Sequence, residues 1–175
     1  MSVRKSFKEI DIENLSREPY RRILCYPSSD EREAGNRMRQ LKTLGINSIL
    51  IEGKTEISGF KILGKGCVSV VVKTKRDGRS LALKIRRLDA NRVSMDHEVE
   101  MSLLANSIGI GPKVHDHTED MILMDWVTGE DITTWFRSLK GPGSTLRLRK
   151  TLHGILKQCF EMDQLGLDHG QLSNL

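Results

Sequence analysis

A lysine in an apolar strand, preceded by a glycine-rich turn, is the feature of this sequence best suited to chemistry. The stretch 61–85 reads KILGKGCVSVVVKTKRDGRSLALKI, with the turn at Gly64 to Gly66 and the lysine at Lys84. Glycine lets backbone N–H groups approach a phosphate because no Cβ stands in the way. A lysine on a neighbouring strand adds a cation for the same phosphates. The pattern therefore predicts a site for a polyphosphate.

Three strands must position these groups. Ile62 and Leu63 enter the glycine turn, and the β-branched run 68–72 predicts the strand that leaves it. Asp77 and Gly78 form a two-residue hairpin signal, since both turn positions tolerate a positive φ. The strand 81–85 then returns and carries Lys84.

In this order the motifs resemble the nucleotide-binding lobe of protein kinases, with its G-x-G-x-x-G-x-V loop and V-A-I-K strand. The first motif corresponds to 64–71, where Ser69 replaces the third glycine, and the second corresponds to 81–84. The resemblance implies ATP as ligand with Mg²⁺, and it places Lys84 on the α- and β-phosphates. The residues that it assigns to the nucleotide here are Gly64, Lys65, Gly66, Cys67, Ser69, Val71, Ala82 and Lys84.

A helix is predicted next, from Asn91 to Ile108, with Met95, Val99, Leu103 and Ala105 on its buried side. Kinases pair the strand lysine with a glutamate of the following helix. The resemblance gives that role to Glu98, which lies among the apolar residues. Glu100 is the competitor, but two positions along a helix it lies on a different face.

The stretch 121–127, MILMDWV, is similar to the kinase hinge. The resemblance places Met124 at the back of an adenine pocket. It implies that the backbones of Asp125 and Val127 hydrogen-bond the adenine edge.

The resemblance weakens where the chemistry would occur. The segment 166–172, GLDHGQL, is in the place of the catalytic loop, which reads H-G-D-L in RIO-type and related small atypical serine/threonine kinases. His169 matches that motif, but Gln171 replaces the catalytic aspartate and cannot act as a base. Asn174 is three positions further on, where the family has its metal-binding asparagine at five, and no D-F-G follows. The expectation is an ATP-binding lobe without phosphotransfer of its own, in a fragment or a natural truncation.

The predicted fold class is α+β: a kinase-like N-lobe, made of an antiparallel sheet and one helix, with a helical extension before it and a partial helical C-lobe after it. The boundaries are 1–57 for the extension, 58–127 for the lobe and hinge, and 128–175 for the C-lobe. Residues 1–13 are expected to lack an element. Asp30 or Ser28 can cap a helix that ends at Leu44 and Gly45. The extension is interpreted as a winged-helix-like module or as an extra layer packed on the sheet.

Charge leaves other functions open. The formal net charge is +5, with Lys73, Lys75, Arg76 and Arg79 around the hairpin and no acidic residue from 132 to 160. A solvated basic surface explains this, and so does nucleic-acid binding, although aromatics are only 5% of the residues. A further alternative is a pseudokinase or partner-binding module without phosphotransfer.

Other classes of protein fit the sequence less well. No apolar run reaches the roughly 20 residues that span a membrane, and no secretory signal is recognised. Three widely spaced cysteines, Cys25, Cys67 and Cys159, favour reduced thiols and a cytoplasmic protein. His115 and His117 have no third ligand nearby, so no metal site is predicted.

Overall fold

The computed structural model describes residues 8–167, which form an α+β fold in which every strand pairing is antiparallel. The strands are β1 (Lys8–Asp11), β2 (Ser48–Ile51), β3 (Thr55–Ile57), β4 (Phe60–Ile62), β5 (Gly64–Lys65), β6 (Ser69–Arg76), β7 (Arg79–Arg86), β8 (Val114–His117) and β9 (Met121–Asp125). The helices are α1 (Ile12–Leu15), α2 (Arg21–Leu24), α3 (Glu31–Thr43), α4 (Asp96–Ser107), α5 (Ile132–Ser138) and α6 (Ser144–Gln164).

One sheet holds most of the strands, in the order β1-β2-β6-β7-β9-β8, with β5 also paired to β6. β3 and β4 form a separate hairpin. The long β6–β7 hairpin turns at Asp77 and Gly78, whose φ values are 52° and 74°. The predicted hairpin is confirmed.

The two faces of this sheet have different partners. Leu81, Leu83 and Ile85 share one face, and they belong to the main core together with apolar residues of α1, α2 and α3. Ala82 and Lys84 alternate onto the other face. There α4 packs, with Met95 and Val99 against Ile122 of β9 and Val114 of β8.

The extension continues the sheet and covers one of its faces. β1 pairs with β2, and β2 pairs with β6, so these two strands of the extension belong to the same sheet as the predicted lobe. Asp30 caps α3 by accepting from the Glu33 N–H at 2.8 Å, as predicted. The expectation that residues 1–13 lack an element is wrong for Lys8–Asp11, because this segment pairs along β2 and buries Ile10. It is also wrong for residues 12 and 13, which begin α1. The division at residue 57 stays a prediction.

The helix α4 begins at Asp96, not at the predicted Asn91. Tertiary hydrogen bonds hold the preceding residues in a connection: the Arg86 guanidinium donates to the Arg92 carbonyl at 3.0 Å, and the Met95 N–H donates to the Glu119 carbonyl at 2.8 Å. Leu103, predicted to be buried, is exposed.

The last two helices pack loosely on the rest. Neither α5 nor α6 has a buried residue, and Leu152 and Phe160 are exposed although α6 is amphipathic. Leu167, just beyond α6, packs with Ala105 and Ile110 near the end of α4. Among residues 8–167, no helix is long and apolar enough to cross a bilayer.

Candidate nucleotide-binding site

An ion pair joins the sheet to α4. Lys84 of β7 donates from Nζ to Oε1 of Glu98, which lies in the first turn of α4. Their side chains are 25% and 22% exposed. The other oxygen of Glu98 lies 3.9 Å from Nη1 of Arg92. Glu100 is 71% exposed and pairs only loosely with His97, so Glu98 is the glutamate that contacts Lys84.

The pair forms because both of its elements are fixed by apolar packing. Lys84 lies between Val71 of β6 and Ile122 of β9 in the sheet register. Ile122 also contacts the cluster of Met95 and Val99 under α4. Glu98 precedes the buried Val99, so it lies at the border of the buried side of α4 and reaches the lysine.

The glycine turn is separated from Lys84 by β6, because β5 and β7 pair with opposite edges of that strand. Gly64 pairs with Val71, the register partner of Lys84, and the Gly66 N–H closes the turn on the Ser69 carbonyl at 2.8 Å. Lys65, Gly66 and Cys67 are exposed at the tip. Ser69, which the resemblance places over the phosphates with the glycines, is buried, and its role there stays a prediction.

Residues outside the predicted set hold this tip. Arg87 donates from Nη1 to the Gly66 carbonyl and from its backbone N–H to the Val68 carbonyl, both at 2.8 Å. Its guanidinium carbon lies 5.1 Å from the centre of the Tyr26 ring. Asp89 binds the same guanidinium, which lowers the pKa of that carboxyl. The extension therefore contacts the glycine turn through Tyr26.

The segment after β9 lies beside the other end of the site. Met124 pairs with Ala82 and is half-buried, so it shares the face of Lys84. The backbone N–H of Asp125 donates to the Lys113 carbonyl at 2.9 Å, and this group is therefore already bonded. Val127 is 70% exposed.

Two side chains that the sequence did not assign to the site, Lys73 and Trp126, contact each other. Lys73, the register partner of Ala82, is buried and donates from Nζ to Glu52 at 2.8 Å. Its ammonium lies 3.3 Å from the centre of a Trp126 ring. The alternation of Lys73 with Val71 was a signal that it shares the face of Lys84.

The basic residues around the hairpin are largely neutralised. Lys73 binds Glu52, Lys75 lies 3.4 Å from Glu9, and Arg76 lies 3.0 Å from Asp116. These contacts make the hairpin a weak platform for nucleic-acid phosphates, since the cations already have partners.

The face of the sheet that carries Lys84 therefore combines a cation, a neighbouring glycine turn and apolar side chains. Val71, Ala82 and Met124 are the apolar side chains, and Lys84 is the cation, paired with Glu98. Such a surface can bind a flat apolar ring at one end and an anion at the other. No group of three or more metal-ligating side chains occurs among residues 8–167. His169 and Gln171 lie outside the described residues.

No protein-family model matches the chain, and no curated protein matches it. The candidate site is therefore assigned on the residues and their geometry.

Proposed function

We propose that this chain binds ATP as the nucleotide-binding lobe of a protein of the serine/threonine protein-kinase type. The Lys84–Glu98 pair beside the glycine turn carries the proposal. Kinases need this lysine–glutamate pair to orient the α- and β-phosphates. The resemblance of the sequence motifs and the contact between side chains 14 positions apart support it independently.

Each group has a role in this proposal. Lys84 binds the α- and β-phosphates, and Glu98 orients Lys84. The turn at Gly64 and Gly66 lets the chain approach the phosphates without a Cβ in the way. The Gly66 N–H closes the turn on the Ser69 carbonyl and does not bind them. Val71 and Ala82 contact the adenine ring. Because its N–H is already bonded, Asp125 contributes only its carbonyl to adenine.

Phosphotransfer is a separate question. Gln171 occupies the position that the resemblance gives to the catalytic aspartate, and an amide cannot accept the proton of a substrate hydroxyl. We therefore propose nucleotide binding without phosphotransfer by this chain, as in a pseudokinase.

The test is ATP-induced stabilisation of the wild type, Lys84→Met and Lys61→Met. Lys61 is an exposed lysine of β4 away from the pair and serves as the control. ATP at 100 times its dissociation constant adds about 2.7 kcal/mol, which raises Tm by roughly 5–10 °C. We expect this shift in the wild type and in Lys61→Met, and its loss in Lys84→Met. Equal shifts in all three proteins, or none in the wild type, would contradict the proposal.

A further inference from the structure

A buried carboxylate lies between α3 and the sheet, away from the candidate site. Asp120, in the turn between β8 and β9, is 4% exposed. It accepts from Gln40 Nε2 at 2.7 Å and from Arg86 Nε at 2.6 Å. The fully buried Arg37 places Nη2 at 3.6 Å from the same carboxylate. A buried charge needs such partners, so Asp120 joins α3 firmly to the sheet.

Gln40 of α3 binds this turn at three points. Besides its donation to Asp120, its Oε1 accepts from the Thr118 hydroxyl at 2.6 Å and from the Asp120 backbone N–H at 3.1 Å. One side chain of the extension therefore fixes both the backbone and the carboxylate of the 118–120 turn.

Two hydrogen-bonded routes connect the 118–120 turn to the residues at the start of α4. The carbonyl of Glu119 accepts from the N–H of Met95, the residue that precedes α4, at 2.8 Å. Arg86, bound to Asp120, donates from Nη1 to the Arg92 carbonyl at 3.0 Å. Both routes end within six residues of Glu98, and the Arg92 side chain itself approaches that carboxylate.

We propose that Gln40 and Asp120 are positioning residues, through which α3 of the extension sets the position of α4 and so the contact of Glu98 with Lys84. The consequence for ligand binding rests on the nucleotide binding proposed above. The consequence for α4 itself does not.

A second link between the extension and the sheet provides a matched control. Arg76 donates from Nη1 to the Leu44 carbonyl at the end of α3 and to Asp116 of β8, at 3.2 and 3.0 Å. None of the hydrogen bonds of this link extends to residues 92–98. Asp116→Asn therefore weakens the attachment of the extension without cutting either route to α4.

The first experiment compares hydrogen exchange of α4 in the wild type, Gln40→Ala and Asp116→Asn without ligand. Gln40→Ala is expected to raise exchange at 96–107 about tenfold, because the start of α4 loses its fixed neighbour. Asp116→Asn should leave exchange there unchanged. Equal exchange of α4 in the two variants would overturn the proposal. Should Gln40→Ala fail to fold, Thr118→Val removes one of the three bonds with little change of shape and replaces it in both experiments.

The second experiment is a double-mutant cycle on the dissociation constant for ADP, measured by calorimetry. If Gln40 acts through Glu98, the combination of Gln40→Ala with Glu98→Gln should weaken binding clearly less than the product of the single effects. Asp116→Asn combined with Glu98→Gln should be additive within about twofold. Additivity in both cycles would overturn the positioning role. A wild type that binds neither ADP nor ATP would refute the proposed function, and the exchange data would then decide the inference alone.

Discussion

The Lys84–Glu98 contact is better suited to orienting a cation than to stabilising the fold. Both side chains are about a quarter exposed, so water screens their attraction. Lys84 lies between Val71 and Ile122 on the same face of the sheet, which limits the directions that its ammonium can take. A lysine held in this way is ready for an anion before the anion arrives, which reduces the ordering cost of binding.

Replacing Glu98 by glutamine should separate these two effects. The variant keeps the size of the side chain but removes its charge, so we expect about tenfold weaker ADP binding and a change in the free energy of unfolding below about 1 kcal/mol. Calorimetry and chemical denaturation measure the two quantities. Glu100→Gln, on the exposed side of α4, is the control and should change neither. A large stability loss without a change in affinity would make the pair purely structural.

The cysteines offer a probe of the glycine turn. Cys67 is exposed at its tip, whereas Cys25 is buried, and burial raises the pKa of the Cys25 thiol to about 11. Iodoacetamide at pH 8 should therefore label Cys67 and leave Cys25 unmodified in the folded protein, because the thiolate is the reactive form. Mass spectrometry of the digested protein reads out both sites. ATP should slow labelling of Cys67 in the wild type but not in Lys84→Met. Labelling of Cys25 at the rate of Cys67 would contradict its burial.

His115 should control the ionisation of Asp125. Its ring nitrogen lies 2.6 Å from the carboxylate, and this contact, followed by smaller contributions including Lys113, lowers the pKa of Asp125 below its ordinary value near 3.8. The stability gained is complete above that ordinary value and is lost as the pH falls through the lowered pKa. His115→Ala should raise the pKa of Asp125 and reduce this acid-side loss. Carboxyl-carbon NMR titration measures the pKa, and an unchanged value would show that the contact is absent in solution.

Gly53 allows β4 to approach the chain that leaves β2. Its φ is 143°, and a Cβ there would lie 1.8 Å from the carbonyl oxygen of Ile62. Gly53→Ala should therefore lower the free energy of unfolding by about 3 kcal/mol or more. Gly59 also has a positive φ but open space around it, so Gly59→Ala should lose only about 1–2 kcal/mol. Denaturant titration compares them, and equal losses would remove the close approach as the cause.

The sequence predicted correctly those structural features that are determined by residues close together in the chain. The Asp30 cap and the hairpin at Asp77 and Gly78 were predictable because their hydrogen bonds and φ values are set within a few residues. β1 was not predictable, since Lys8–Asp11 becomes a strand only by pairing with β2, about forty positions away. The start of α4 was misplaced for the same reason.

The residues of the candidate site also fall into a group that the sequence predicted and a group that it missed. The contact between Lys84 and Glu98 was implied by the resemblance to kinases, which pair the strand lysine with a glutamate of the following helix. Lys73 was interpreted as part of a basic surface, because its partner Glu52 lies 21 positions earlier and its other neighbour, Trp126, follows β9. Burial of a charged side chain by distant partners leaves no periodic signal in the sequence.

For the whole molecule, the extension and the predicted lobe share one hydrophobic core. Leu15, Ile23 and Leu41 of the extension belong to the same buried cluster as Leu83 and Ile85 of β7. The two opposite faces of one sheet then serve two purposes: one binds the helices of the extension, and the other bears the candidate site. The extension should therefore affect the site without touching a ligand.

A chain that begins at residue 58 should consequently fail to fold. It would lose β1 and β2 and expose the apolar face of β6 and β7, and β6 would keep only the short β5 on that side. Exposed apolar residues on an unprotected strand favour aggregation, so we expect no cooperative unfolding transition and poor solubility. Circular dichroism during heating measures the transition, with a chain that begins at residue 8 as the control. Cooperative unfolding and ADP binding by the shorter chain would show that the lobe is independent. The positioning role of Gln40 would then be lost as well, because a complete site would form without α3.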